Sequence, residues 1–203
     1  PLGYTYHIEG MVQGSGFRGA ANETALLPQG KDWTLVVGLG KSKDLSLERV
    51  RQFAGTAARA VRARGFTRLT LPVLSDSRLG GDTAAVAQAL AEGALLGLYR
   101  YTQLKKLSKS EQRQRIEGIT LAATSSRDAA AARQAVRKAE VIAEAVLLAR
   151  DLINGPSNLV TPTYLANQAR AIAKAVRLKC TVIPFARLKR LGFGGIVGVA
   201  QGS

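Results

Sequence analysis

The stretch SSRDAAAARQAVRKAEVIAEAVLLARDLINGP, residues 125–156, constrains the fold more than any other part of the sequence. From Asp128 to Asn154 it contains neither glycine nor proline. It therefore predicts one helix of ~40 Å at ~1.5 Å per residue, longer than the usual three or four turns. Ser126 or Asp128 is placed to cap its start. Ala132, Val136, Ala139, Ala143, Val146, Leu147 and Ile153 fall near one face. Asn154-Gly155 tolerate the left-handed C-cap conformation, and Pro156 forbids continuation. A second helix restarts at once, with Thr161 as N-cap and Pro162 in its first turn, and Tyr164, Leu165, Ala169, Ile172 and Val176 as its apolar face. A stop and restart this sharp marks a joint between two bodies.

Upstream of the joint, strand and helix patterns alternate. Residues 32–41 read as a buried strand ending in a glycine turn, their continuous apolar run suiting a sheet covered on both faces. Residues 45–65 carry Leu47, Val50, Phe53, Ala54, Ala57, Ala58 and Val61 on one helical stripe and stop at Gly65. Residues 66–74 predict a second strand, with Leu69, Leu71 and Val73 inward. Residues 77–82 form a loop whose Asp82 caps a helix over 83–99, and 118–124 is a third strand. Downstream, 179–185 reads as a strand, 186–192 as a short helix and 195–203 as a loop or strand. The class is α/β with a largely parallel or mixed sheet. About fifty residues after the joint are too few to close a core easily.

The 203 residues carry 29 basic and 14 acidic side chains, a net charge of +15. Arg100, Lys105, Lys106, Lys109, Arg113 and Arg115 crowd around Glu111 alone, and seven basic residues but no acidic one follow Asp151. Such a charge raises nucleic acid as a partner. The chain has no Cys/His finger, however, and its basic residues are not interleaved with aromatics. A compensating acidic segment beyond Ser203 explains the imbalance equally well. Cys180 is the only cysteine, which rules out an intrachain disulfide and fits a reducing compartment. No apolar run approaches the ~20 residues of a membrane span. The start lacks the charge and apolar pattern of a signal peptide, and Pro1 in place of Met suggests a fragment or processed chain.

Each chemical motif has a plainer reading. GLGKS, residues 38–42, ends like a phosphate loop, but Leu35 stands where that motif needs its first glycine. A turn at the strand end suffices. LGGD, residues 79–82, could present amides to an anion, though Asp82 as a cap fills that place. His7, the only histidine, leaves no zinc cluster and no convincing triad. Cys180 reads as a small buried hydrophobe. Glu140 and Glu144, with Arg133, Arg137 and Lys138 nearby, read as a solvated ion-pair face. Asp151, near a helix C-terminus that disfavours it, is expected to pair with Arg150 or the following loop. No catalytic, cofactor-binding or metal-binding residue is assigned.

The joint itself resembles a known family. Arg150-Asp151-Leu152-Ile153-Asn154, then Pro156-Ser157-Asn158, then Thr161-Pro162 and Tyr164-Leu165-Ala166 look like the segment that links the two domains of cytosol (leucyl) aminopeptidases. LGFGGIVGVAQGS, residues 191–203, resembles the start of that family's catalytic domain, and GFRGAANETALLPQGK with LAEGALLGLYRYTQLK resembles landmarks of its N-terminal domain. The chain departs from the pattern at Thr163 and in the basic PFARLKRLG, where acidic residues are common. The resemblance implies a macro-domain-like N-terminal domain over 1–126, missing its first strands. It also implies a linker helix over 127–155 and the incomplete start of a catalytic domain over 156–203. It further implies a cytoplasmic homo-hexamer that removes N-terminal residues from peptides with two divalent ions, zinc or manganese. Because the family's metal-binding and catalytic motifs lie downstream of Ser203, the chain by itself is expected to bind no catalytic metal and to be inactive. Two other readings carry different expectations: a basic nucleic-acid-binding domain, and a macro-like binder of ADP-ribose-type ligands.

Overall fold

The computed structural model describes residues 12, 14–73, 79 and 82–201. Among these the order is β1 (Thr24–Gln29), β2 (Asp32–Val37), α1 (Leu47–Ala63), β3 (Arg68–Pro72), α2 (Thr83–Gly97), α3 (Lys109–Arg113), β4 (Gly118–Ala122), α4 (Ser126–Asn154), α5 (Pro162–Ala175), α6 (Phe185–Leu188) and α7 (Gly194–Ala200). The fold is α/β. β1 and β2 form an antiparallel hairpin in which Thr24 faces Val37 and Gln29 faces Asp32. β3 and β4 run parallel, Leu69 beside Ile119 and Leu71 beside Leu121. The sheet content is thus mixed, in two pairs. The chain divides into two compact units, Pro1–Asp151 and Leu152–Ser203, and the division falls inside α4.

The first unit has a closed core. Val50, Ala54, Ala57, Ala58 and Val61 of α1 are buried as the stripe requires, with Leu69, Leu71 and Val73 of the β3 strand region. α2 is buried nearly all round, including Val86, Ala87, Ala89, Leu90, Ala91 and Ala94. α1 and α2 cross where only glycine fits. A Cβ at Gly93 would lie 2.1 Å from the Arg51 carbonyl oxygen, and one at Gly97 would lie 2.6 Å from Gly55 Cα. Missing side chains let the two backbones touch, which a sequence stripe of larger apolar residues cannot do.

Helix ends follow the expected chemistry in most places. Ser46 Oγ accepts from Arg49 N, and Asp82 accepts from the amides of Ala84 and Ala85. Thr161 accepts from Tyr164 N. At the start of α4 the cap is neither Ser126 nor Asp128. Ser125 Oγ instead accepts from Asp128 N at 3.1 Å, making Asp128 the third helical residue of a capping arrangement. At its end, neither Asn154 nor Gly155 takes the left-handed conformation. Pro156 alone stops the helix, and its carbonyl accepts from the amides of Leu159 and Val160, both at 2.9 Å. The left-handed residue appears at the end of α5 instead: Arg177, with φ 57°, lets Leu178 N donate to Ala173 O at 2.7 Å.

Other expectations need correction. β1 is a strand the sequence did not indicate, and it contains Pro28, which a two-stranded hairpin tolerates although it has no N–H. β2 is exposed at Asp32 and Trp33 and only half-buried over Thr34–Val36, so it is not covered on both faces. The segment 179–185 is not a strand, since among the described residues of the second unit no strand lies there to pair with it. The segment read as loop or strand over 195–203 contains α7. The apolar face expected on α5 is exposed at Tyr164, Leu165, Ile172 and Val176, and Ile153 is 81% exposed. In the second unit Ala173 is the one buried residue among those described.

Candidate functional site

The polar chemistry of the first unit gathers where α1, the C-terminal half of α2 and the last turns of α4 come together. α1 places Arg51, Gly55, Arg59 and Arg62 at spacings that return to one face. Facing them, α2 buries a carboxylate, Glu92, which is 5% exposed. Arg51 Nε donates to Glu92 Oε2 at 2.6 Å, and Gln88 Nε2 donates to Oε1 at 2.6 Å. Burial opposes ionisation of Glu92. The hydrogen bonds from Arg51 and Gln88, with the charges of Arg51 and Lys138, outweigh it and hold the carboxyl below its usual range. A lone Glu in an otherwise apolar helix was the available sign of this pairing.

Two more arginines serve the carbonyls at the end of α2, which the helix leaves without intrahelical partners. Arg62 Nη1 donates to Leu98 O at 2.7 Å, and Arg150 Nη1 to Leu96 O at 2.9 Å. Both cations stand at the negative end of the helix dipole, where they stabilise it. Arg150 also lies over the Tyr99 ring, 5.5 Å from its centroid. Tyr99 Oη donates to Asp151 Oδ1 at 2.9 Å. Asp151 therefore takes Tyr99 as its hydrogen-bond partner, in place of the expected Arg150 or following loop. Between these elements lies a cleft of ≈ 320 Å³, lined in part by Asn22, Arg51, Thr56, Arg59 and Arg150. Thr56 Oγ1 donates to Asn22 Oδ1 and accepts from Arg59.

A second charged group surrounds α3. Arg100 Nη2 and Lys105 Nζ donate to Glu111 Oε1 at 2.9 and 2.8 Å, while Ser108 N donates to Oε2 at 2.9 Å. The hydrogen bond from Lys105, followed by those from the Ser108 backbone and side chain, pulls the Glu111 carboxyl down to about 2.

The motifs weighed in the sequence fall as follows. In GLGKS, Gly38 N donates to Glu23 O and Gly40 N to Gly19 O, so these two amides pair with the segment that precedes β1 and are not available to a phosphate. A Cβ at Gly38 would sit 2.0 Å from Ala20 O, which explains the glycine without any ligand. Asp82 caps α2. His7 and Gly80-Gly81 lie outside the described residues. Cys180 is exposed, not buried, because the segment that carries it joins no sheet. Glu140 and Glu144 are exposed beside Arg133, Arg137 and Lys138, yet none of the ion pairs among the described residues involves them. Solvated long side chains gain too little from pairing to hold one geometry. Asp128 is half-buried, and Ser125, then Thr83 and Thr124, donate to it and lower its carboxyl.

A divalent metal needs several oxygen, nitrogen or thiolate donors converging on one point. Among the described residues no three His, Cys, Asp or Glu side chains come together in that way. These residues do not fit a dinuclear metal centre. No described helix is long and apolar enough to cross a membrane.

Comparison with known proteins divides the chain similarly. The family model described as the N-terminal domain of the cytosol aminopeptidase family matches residues 3–108, and the one for its catalytic domain matches residues 147–203. A probable cytosol aminopeptidase of Roseiflexus castenholzii is 36% identical over 202 residues, 97% of this chain and 40% of that protein. Another, from Geobacter sp., is 38% identical over 191 residues, 92% of this chain and 38% of that protein. Among solved structures, the bottromycin maturation enzyme BotP matches with a TM-score of 0.73 at 32% identity, over 90% of this chain and 38% of that one. BotP has also been solved in complex with Mn. A mutant tomato leucine aminopeptidase shares the fold, with a TM-score of 0.69 at 23% identity over 83% of this chain and 32% of that one. The chain spans about 40% of the length of the curated relatives it matches.

Proposed function

Because the chain belongs to the cytosol aminopeptidase family, we propose that it forms the non-catalytic domain, the linker helix and the opening of the catalytic domain of an enzyme that removes N-terminal amino acids from peptides. The observation that carries this reading is the order of the two family matches, 3–108 and 147–203, the second of which begins within the last turns of α4. In this reading residues 1–126 are the N-terminal domain, 127–155 the linker and 156–203 the start of the catalytic domain. The manganese complex of BotP supports a divalent metal cofactor for the whole enzyme. The metal ligands and catalytic groups would lie in a part of the catalytic domain that 156–203 does not include. Among the described residues, Arg51, Glu92, Arg62, Tyr99 and Arg150 hold α1, α2 and the end of α4 together. The whole enzyme is proposed to be a cytoplasmic homo-hexamer.

The test is hydrolysis of a leucyl chromogenic substrate by the purified 203-residue chain with added Mn²⁺ or Zn²⁺. No turnover above the metal blank is expected. Metal-dependent release of the chromophore that tracks the chain through purification would overturn the assignment.

A further inference from the structure

A groove of ≈ 470 Å³ opens between the end of α1, the segment after α2 and the short helix α3. Its chemistry is divided. Leu98, Leu107 and Ile116 supply an apolar floor, and Arg62, Arg100 and Arg115 supply cations, with Thr102, Gln112 and Gln114 as hydrogen-bonding groups. Glu111 is the one carboxylate on the lining, and it is already engaged by Arg100, Lys105 and Ser108. Arg115 is exposed and has no carboxylate partner among the described residues. Arg62 spends one N–H on Leu98 O, and neighbouring cations press on the rest of it. Burial, then the charges of Arg100 and Arg59, lower its affinity for its proton. Positive charge here exceeds what the carboxylates of the described residues neutralise, and it stands next to half-buried apolar side chains.

We propose that this groove binds a small amphipathic anion, an apolar body carrying a carboxylate or phosphate head, with the head at Arg62 and Arg115 and the body over Leu98, Leu107 and Ile116. Guanidinium groups grip such heads through paired N–H donors, which an ammonium cannot reproduce. The apolar floor adds burial that inorganic phosphate cannot exploit. Glu111 repels the head from the Arg100 side of the groove and so fixes the direction in which the ligand lies.

The 203-residue chain titrated with octanoate, octyl phosphate, octanol and octylammonium, followed by backbone amide shifts in NMR, tests this. At least one of the two anions is expected to saturate with shifts at Leu98, Leu107, Gln112 and Ile116. Which of them binds more tightly identifies the head. Octanol and octylammonium are expected to bind about tenfold more weakly or not at all, the loss of one charge-assisted contact. Arg115→Gln, at an exposed position, should weaken the anion about tenfold. Arg133→Gln, on the exposed face of α4, should change nothing. Arg62→Gln also removes a cap from α2, so Arg115→Gln carries the decision. Equal binding of octanol and the anions, affinity unchanged in Arg115→Gln, or no saturation by either anion would overturn the proposal.

Discussion

The two units of this chain are built from similar material but differ in what they bury. Both are rich in Ala, Leu, Val and Gly. In Pro1–Asp151 those residues close on one another: Ala54, Ala58, Ala87, Ala89, Ala94 and Ala139 have no exposed surface. In Leu152–Ser203, Leu165, Ile172, Val176, Leu178, Phe185, Leu191, Phe193, Ile196 and Val199 are exposed by 41 to 84%. A good helix signal, with cap and proline in the right places, is enough to form α5. It is not enough to bury it, because burial needs a second surface of the right shape.

Truncating the core should expose that contrast most strongly. Leu71→Ala, at a side chain 1% exposed, is expected to cost about 2–5 kcal/mol. Leu165→Ala, 44% exposed, should cost no more than about 0.5 kcal/mol. Urea unfolding followed by circular dichroism reads both, and equal losses would erase the distinction between the units. Next comes Gly93→Ala, whose new methyl meets the Arg51 carbonyl. A loss of about 1–3 kcal/mol is expected, against no measurable change for Gly198→Ala beyond a gain in helix propensity of ~1 kcal/mol. Glu92→Gln follows, with an expected loss of about 1–3 kcal/mol from the broken charged hydrogen bond to Arg51.

Acid sharpens the same contrast. Glu92, Asp128 and Glu111 all have carboxyls held below their usual values in the folded state, Glu111 at about 2. Their contribution is therefore complete above the unfolded carboxylate range near ~4.5 and disappears as the pH falls through the lowered folded values. No Asp or Glu follows Asp151, so no acidic side chain of the second unit titrates in that window. Amide exchange measured between pH 5 and pH 2.5 should show protection falling at α1, α2 and α3 through this route, with no matching carboxylate-driven change in α5. The smallest effect is a gain: Arg177→Gly removes a side chain from the left-handed position after α5 and should stabilise that helix end by about 1 kcal/mol, visible as slower exchange at Leu178.

How far the sequence could be read follows the same division. Where a local pattern and its packing partner both lie in the first unit, the expectation holds: the α1 stripe, the inward Leu69, Leu71 and Val73, and the Asp82 cap are all found. The cap at Thr161 holds too, because a cap is a local device. The failures share a physical origin. Residues 179–185 have the composition of a strand but no strand to pair with, and the apolar face of α5 has no cover among the described residues. β1 carries no clear alternation and contains Pro28, and it is a strand only because β2 lies beside it. The charged groups were the least legible. That Glu92 pairs with Arg51, 41 positions away, or Asp151 with Tyr99, 52 away, depends on how helices cross. Side-chain spacing along one helix says nothing about that. The family was legible chiefly from the joint, since Arg150–Asn154, Pro156-Ser157-Asn158, Thr161-Pro162 and Tyr164-Leu165-Ala166 are short motifs in a fixed order, with weaker landmarks on either side.

The crossing at Gly55, Gly93 and Gly97 has a consequence for how such a sequence can vary over time. Most tight contacts inside a protein can be renegotiated: when one side chain grows, its neighbour can shrink. At Gly93 the obstacle is the carbonyl oxygen of Arg51, and at Gly97 it is the backbone of Gly55. Every amino acid carries those atoms. No second substitution can clear the way, so these positions are closed to compensatory change and can move only if the whole helix pair moves with them.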